Sequence, residues 1–426
     1  MRHVIIGAGP AGVAAAETLR RVAPTDEVML IGAEPEPPYS RMAIPYYLID
    51  DIQESGTYLR KTDGHFEHAN IQVRGEAVTG IDTKAKTVTL GNGSSQSYDK
   101  LLIASGSRPM APPIPGMDSP NVHSCWTLDD ARKIHELAKP GANVLLMGAG
   151  FIGCIILEAL AASGANLTVV EMGDRMVPRM LDETAGNLLK GWCENKGVRV
   201  HTSTRVESIT ADAQGTLTAA LSNSESVAAN LIVSATGVQP NIEFLEGTGV
   251  KTEFGVLVDD RLMSSVEDIY AAGDVAQALD LSTGEYTVQA IQPTAVEHGR
   301  IAALNMAGRA SSHRGSLNMN VLDTVGLISS SFGLWMGVDG GENSALVDAD
   351  GFKYINLQFK DDVLVGAQSL GHTQHIGVLR GLIQTGASLG EWKNKLMHDP
   401  MLVMEAYLAC AQDTAKTGQV VSTQLR

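Results

Sequence analysis

Two short glycine-rich stretches hold the residue types and spacings with which this chain could do chemistry. The first, Gly7-Ala8-Gly9-Pro10-Ala11-Gly12, follows an apolar run, Val4-Ile5-Ile6, and leads into an Ala-rich helical segment, Val13 to Arg21. In a G-x-G-x-x-G turn the first glycine allows a tight strand-to-helix reversal. The second lets a pyrophosphate approach the backbone, and the third lets helix and strand pack closely. The helix N-terminus then offers free N–H groups and about half a positive charge to the phosphates. Glu27 to Ile31 reads as the next strand, leading to Glu34 about 20 residues past the glycines, where a carboxylate can bind a ribose hydroxyl.

Gly148-Ala149-Gly150-Phe151-Ile152-Gly153 repeats the design, with a strand from Asn143, a helix to Ser163, a strand from Asn166 to Val170, and Glu171 at its end. Two cradles require two dinucleotides, and the economical pair is one flavin and one nicotinamide. Glu171 would accept from both ribose hydroxyls and repel a 2′-phosphate, which favours NADH over NADPH; Arg175 and Arg179 nearby weigh the other way.

The remaining chain must position these cradles. A Pro-rich loop, Pro35 to Pro45, contains Tyr39-Ser40-Arg41, and Arg41 could pair with a phosphate or be an ordinary surface cation. Short strands alternate from Ile71 to Leu90, Ala77-Val78 among them, with a turn at Asn92-Gly93. The apolar stretch from Tyr98 runs into the small-residue turn Ala104-Ser105-Gly106, and Asn230 to Ser234 runs into its counterpart Ala235-Thr236-Gly237. Pro109, Pro112, Pro113 and Pro115 mark a linker. Ile269 to Ala271 leads through Gly273 to Asp274, a carboxylate suited to a cofactor hydroxyl at the carboxyl edge of a parallel sheet, or else to capping the next turn. Pro293 opens a helix to Ala307 whose N-terminus could face an anionic reduced flavin.

From about Asn318 no phosphate motif appears. Val321 to Ser330, Tyr354 to Phe359 and Val363 to Ala367 read as strands, then Gly377 to Thr385, Ser388 to Leu396 and Pro400 to Ala411 as helices. The expected fold is α/β: two Rossmann-like dinucleotide-binding domains, for FAD and NAD, plus a smaller C-terminal α+β domain. The boundaries are 1–112 with 245–317 for FAD, 113–244 for NAD(H), and 318–426 for the last.

A chain of 426 residues exceeds one core, and its net charge of −16 disfavours nucleic acid or an anionic membrane as partner. Arg2 and Ala14-Ala15-Ala16 imitate a signal peptide, but glycines and Pro10 break the apolar run, and no stretch of about 20 uninterrupted apolar residues exists, so a cytoplasmic location is expected. The four cysteines include no C-x-x-C pair. Cys154 falls in the first turn of a helix, where a thiolate would be stabilised, but reads better as a small buried filler. His372 and His375 lack carboxylate or Cys partners at ligand spacing and read as loop histidines; no metal site is expected.

The order GAGPAG, Glu34, IASGSRP, GAGFIG, Glu171, ATGVQPN and YAAGDV resembles the pyridine nucleotide–disulfide oxidoreductase superfamily over residues 1 to about 310. The resemblance implies that Gly7, Gly9, Gly12 and Glu34 hold the ADP half of FAD, that Arg41 reaches its pyrophosphate and that Asp274 binds its ribityl chain. Pro10, Ala11, Val78, Ser105, Gly106 and Gly273 complete the FAD set. Gly148, Gly150, Phe151, Ile152, Gly153, Glu171 and Gly237 would hold NADH. It further implies hydride transfer from nicotinamide C4 to flavin N5, the protein supplying position and electrostatics. In coenzyme A disulfide reductases and related peroxidases a redox Cys precedes P-Y-Y; here Met42 stands in the loop before Pro45-Tyr46-Tyr47, and no side chain is expected to act as a covalent catalyst.

The chain is thus similar to the Cys-free branch: NADH–rubredoxin reductases, ferredoxin reductases of oxygenase systems, and the N-terminal part of NADH–nitrite reductases. A small redox carrier protein is the expected acceptor. Oxygen, a quinone or another small oxidant is the alternative, and an NADH-sensing flavoprotein with little turnover is a third reading. The C-terminal domain resembles one that forms dimers. One departure concerns the nicotinamide: family members often carry Glu two residues past the last glycine of the NAD motif, where this chain has Ile155, its nearest carboxylate being Glu158.

Overall fold

The computed structural model describes residues 1–417, so positions 418–426 of the expected C-terminal domain lie outside the described residues. The chain divides into two compact units. The first comprises Met1–Met110, Trp126–Ala131 and Val238–Ser316; the second comprises Ala111–Cys125, Arg132–Gly237 and the chain from Leu317.

An all-parallel sheet organises the first unit, in the order Ile269–Ala271, Lys100–Ile103, Arg2–Ile6, Glu27–Gly32, Gln72–Gly75. Val4, Ile5, Leu30 and Leu101 to Ile103 are buried, the near-continuous apolar pattern of strands covered on both faces. The helix Pro10–Val22 opens with proline where no N–H is needed, and it packs against the helix Gln292–Met306. Gly299 makes that approach possible, since a Cβ there would lie 2.2 Å from the Ala11 carbonyl oxygen. A small antiparallel sheet, Val78–Asp82, Thr87–Leu90 and Ser95–Ser97, completes the unit's first segment.

The second unit contains another all-parallel sheet, ordered Arg199–His201, Asn166–Val170, Asn143–Met147, Leu231–Ser234, Val122–Ser124. In each parallel sheet the strand that feeds the glycine turn is central, with its successor on one side and a much later strand on the other. Strand order therefore reverses at both glycine turns, and the crevice left at such a point is where open α/β sheets bind ligands. The same unit carries a five-stranded antiparallel sheet, ordered Met319–Thr324, Leu327–Gly333, Val363–Leu370, Lys353–Lys360, Glu342–Asp348. Helices Ile376–Thr385, Glu391–His398 and Val403–Thr417 follow, and the core around Phe332, Leu357, Phe359, Leu379 and Leu396 joins helices to sheet.

Two features of this sheet differ from the sequence reading. The single strand expected from Val321 to Ser330 is a hairpin whose two-residue turn is Val325-Gly326, at φ +53° and +83°. Those values suit a type I′ turn, but valine disfavours the left-handed region, so the residue type conceals the reversal. The strand Glu342–Asp348 was not expected. It is an edge strand with one buried residue in seven, so it lacks the apolar alternation that marks a half-buried strand. Among the described residues no helix is long and apolar enough to cross a membrane.

Candidate functional site

The first glycine turn is pinned between neighbouring strands. Gly7 N–H donates to the Ile31 carbonyl at 2.7 Å, and Ala104 N–H donates to that of Ile6 at 2.7 Å. Gly7 has φ +112°, and a Cβ on it would sit 1.9 Å from the Ala104 oxygen; one on Gly12 would sit 1.9 Å from the Gly7 oxygen. Both are therefore glycine because backbone meets backbone. Gly9 differs. Its backbone is extended (φ −79°, ψ −173°), a conformation open to any residue, and a Cβ there would meet nothing within 4 Å. Nothing in the chain requires glycine at that position, whereas a phosphate approaching the helix N-terminus would.

A cleft of about 720 Å³ extends from Ala8, Gly32 and Glu34 past Arg60 and Phe66 to Gly75, within the size range of small-molecule and cofactor sites. At its edge Glu34 accepts from Tyr39 Oη and Arg41 Nη2, each at 2.5 Å. Sequence reasoning assigned Glu34 and Arg41 to different parts of a ligand; the fold joins them in an ion pair. The Arg41 guanidinium lies 5.5 Å from the Tyr39 ring centre and 5.3 Å from that of Trp126. Its Nε is buried and has no hydrogen-bond partner, an orphan donor that a phosphate oxygen would satisfy. Asp274, half-buried after Gly273 (φ +76°), accepts from Ser107 Oγ at 2.9 Å. Burial pushes its carboxyl up, opposed by the Ser107 hydrogen bond and the positive charge of Arg41.

Ser105, Gly106 and Asn241 form a tight knot. Ser105 Oγ donates to the Asn241 carbonyl and Asn241 Nδ2 to that of Ser105, both at 2.9 Å, while Asn241 N–H donates to Gly106 at 2.9 Å. Ser107–Pro109 and Val238–Pro240 pair antiparallel beside it, and Trp126 Nε1 donates to the Ser107 carbonyl at 3.0 Å. Trp126, Ser107 and Asn241 have no role in the sequence reading; the parallel between the S-G-S-R-P and T-G-V-Q-P-N turns is the available signal for Ser107 and Asn241, and none marks Trp126. Val78 opens the small antiparallel sheet and packs against the main core.

The second turn reproduces the first. Gly148 N–H donates to Val170 and Ala235 N–H to Met147, each at 2.8 Å. A Cβ would lie 2.6 Å from the Ala235 oxygen at Gly148 and 2.1 Å from the Gly148 oxygen at Gly153. Gly150 is again extended (φ −75°, ψ −169°) with nothing within 4 Å of a Cβ. Phe151 and Ile152 form the first turn of the helix Phe151–Ala162, half-buried, and Gly237 has φ +118°. Glu171 accepts from Ala149 N–H at 2.6 Å and Gly173 N–H at 2.7 Å, so the glycine turn itself holds the carboxylate at the strand end. Arg175 is engaged locally, by the Leu181 carbonyl at 3.0 Å and Asp174 at 2.7 Å, whereas Arg179 is exposed. Glu158 is half-buried, and burial together with Asp323 pushes its carboxyl up.

Cys154 is fully buried, its Sγ 3.5 Å from the Ala149 carbonyl, and burial pushes its thiol well above the ordinary range. It packs rather than reacts. Cys154→Ser is expected to leave the rate of flavin reduction by NADH within about twofold and to lower stability by about 1 kcal/mol. Stopped-flow absorbance and thermal melting check this, and a large loss of rate in a protein that melts normally would restore a thiol mechanism.

Two glycine turns, each at a strand-order reversal and with a middle glycine facing open space, form two dinucleotide cradles, and the relatives of this chain make its class the FAD-dependent NAD(P)H oxidoreductases. The chain belongs to the pyridine nucleotide-disulphide oxidoreductase family, whose model matches residues 1–299. It is 29% identical over 406 residues, 94% of this chain and 96% of the relative, to the NADH-dependent phenylglyoxylate dehydrogenase subunit epsilon of Aromatoleum evansii. It is 28% identical over 331 residues to the NADH-rubredoxin oxidoreductase of Clostridium acetobutylicum, covering 78% and 81% of the two chains. Among solved structures, a NAD-dependent persulfide reductase from A. fulgidus superposes with a TM-score of 0.86 at 28% identity, covering 92% of this chain and 79% of the other.

Proposed function

We propose that this protein takes hydride from NADH bound at the second cradle and delivers electrons, through FAD bound at the first, to a small rubredoxin- or ferredoxin-type carrier protein. The observation that carries the two-nucleotide part of this reading is the pair of middle glycines, Gly9 and Gly150, which the fold does not need and a pyrophosphate does. In it, residues 1–112 with 245–317 bind FAD, 113–244 bind NADH, and the rest forms the C-terminal domain. FAD supplies the chemistry of accepting two electrons at once and releasing them singly.

The chain's own residues bind and orient. Ala11 and Gly12 N–H groups at the helix start face one pyrophosphate, and Arg41, stacked between Tyr39 and Trp126, offers it the orphan Nε. Asp274, kept in place by Ser107, accepts from a ribityl hydroxyl. Glu34 and Glu171 accept from ribose hydroxyls with the lone pairs their present partners leave over. Glu171, already held by two backbone N–H groups, would repel a 2′-phosphate, which favours NADH. Met42, 46% exposed in the loop where related reductases carry a redox Cys, supplies no thiolate, so electrons leave without a sulfur intermediate. The rubredoxin reductase relative supports a carrier protein as acceptor, and the dehydrogenase subunit relative suits a setting in which the acceptor is another protein. A homodimeric state and a cytoplasmic location belong to the same reading.

Anaerobic stopped-flow reduction by NADH, followed by reoxidation with rubredoxin, a [2Fe–2S] ferredoxin, a quinone or oxygen, tests it. Fast bleaching and fast reoxidation by a carrier protein are expected, with slow reaction with oxygen. Fast reoxidation by oxygen or quinone alone would replace the carrier with a small acceptor, and a flavin that NADH does not bleach would overturn the proposal.

A further inference from the structure

One segment, from Glu171 to Asp182, makes hydrogen bonds that nucleotide binding does not explain. Asp182 caps the helix Glu183–Asn195, its Oδ1 accepting from Ala185 N–H at 2.9 Å. Capping needs no more than that. Yet Oδ2 accepts from three further donors on two adjacent strands of the C-terminal sheet: Gln368 Nε2 at 2.7 Å, Tyr354 Oη at 2.7 Å and Asn356 Nδ2 at 3.3 Å. Asp182 N–H donates in return to Gln368 Oε1 at 2.9 Å. Gln368 is fully buried and stands in register opposite Asn356, so both ends of its amide are committed to one residue outside its own sheet.

The same segment grips the second cradle at its other end. Val177 N–H donates to the Ala149 carbonyl at 2.8 Å, and Ala149 stands between Gly148 and Gly150. Val177 is 1% exposed and has φ +50°, a left-handed conformation that β-branched residues rarely adopt. Met180 and Leu181 N–H groups close on the Val177 carbonyl at 2.9 and 3.0 Å, which connects the strained residue directly to Asp182. A conformation of this kind persists only where its surroundings over-determine it.

We propose that Gln368, assisted by Tyr354, is a positioning residue for the second cradle: by gripping Asp182 it keeps Val177 in its left-handed turn, and the Val177 N–H then fixes the Ala149 carbonyl and the aim of the phosphate-facing turn. This rests on the assignment of that cradle to NADH. Loss of the grip lets Val177 relax toward an ordinary conformation, its N–H leaves Ala149, and the turn loses its preorganisation.

The test uses the FAD-loaded protein and reads NAD⁺ binding by calorimetry, flavin content by absorbance, and melting temperature. Gln368→Leu, of similar volume, is expected to weaken NAD⁺ binding about tenfold, and Tyr354→Phe about threefold, with flavin content unchanged. The KM for NADH rises in parallel while kcat holds. Adding Val177→Gly to Gln368→Leu restores most of the affinity, because glycine takes φ +50° without strain. Unchanged NAD⁺ affinity in Gln368→Leu, even with a lower melting temperature, would overturn the proposal, as would a loss that Val177→Gly fails to restore. Should Gln368→Leu not fold, Tyr354→Phe decides alone, since it removes one hydroxyl and no volume that matters. Failure of the unmodified protein to bind NAD⁺ would instead overturn the cradle's assignment, and this inference with it.

Discussion

Gly9→Val is expected to purify as a folded but colourless protein that FAD does not turn yellow, whereas Gly12→Val is expected not to fold. The two positions lie three residues apart in one motif, yet the fold treats them oppositely. At Gly12 a Cβ would lie 1.9 Å from the Gly7 carbonyl oxygen, an overlap that only displacement of the helix from its strand could relieve. At Gly9 the backbone is extended, and a side chain would project where no protein atom lies within 4 Å. Valine there costs the chain little and, on the proposed function, would bar the pyrophosphate from the helix N-terminus. Two charge-assisted hydrogen bonds at about 2 kcal/mol each amount to about 4 kcal/mol, close to a thousandfold in affinity. Circular dichroism together with the visible spectrum separates these outcomes. A yellow Gly9→Val protein would show that the turn does not face the cofactor.

The second cradle predicts the complementary phenotype. Gly150→Val should retain FAD at full occupancy, melt close to the unmodified protein, and be reduced by NADH about a thousandfold more slowly at limiting NADH, by the same hydrogen-bond arithmetic. Dithionite should still bleach it fully, since nothing around the first turn has changed. Gly150 matches Gly9 in backbone conformation and in the space before it. Anaerobic titration with each reductant distinguishes a blocked nucleotide site from a damaged flavin site. Equal loss of FAD in Gly9→Val and Gly150→Val would mean that the two turns are not functionally distinct.

The amino-acid sequence by itself determined that there are two strand–turn–helix units, which glycines belong to them, and which carboxylates follow their second strands. Such units are specified within about 30 contiguous residues, where period, glycine spacing and proline placement all act locally. Tertiary structure decided the rest. Ser107 meets Asp274 across 167 residues of chain and Ser105 meets Asn241 across 136, contacts with no periodic signature at either end. Arg41 pairs with Glu34 seven residues before it, but it reaches the Trp126 ring only because its loop and a distant segment converge. The Val325-Gly326 hairpin has no signal in its residue types, since valine disfavours the left-handed region; the Val325 carbonyl accepts from Trp192 Nε1, 133 residues away, at 3.0 Å. Above all, the motif marks Gly7, Gly9 and Gly12 alike, and only the packed structure separates glycines that accommodate backbone from the one that faces open space. That separation is a matter of what lies within a few ångströms of an absent Cβ, a quantity that exists only once distant segments have been brought together.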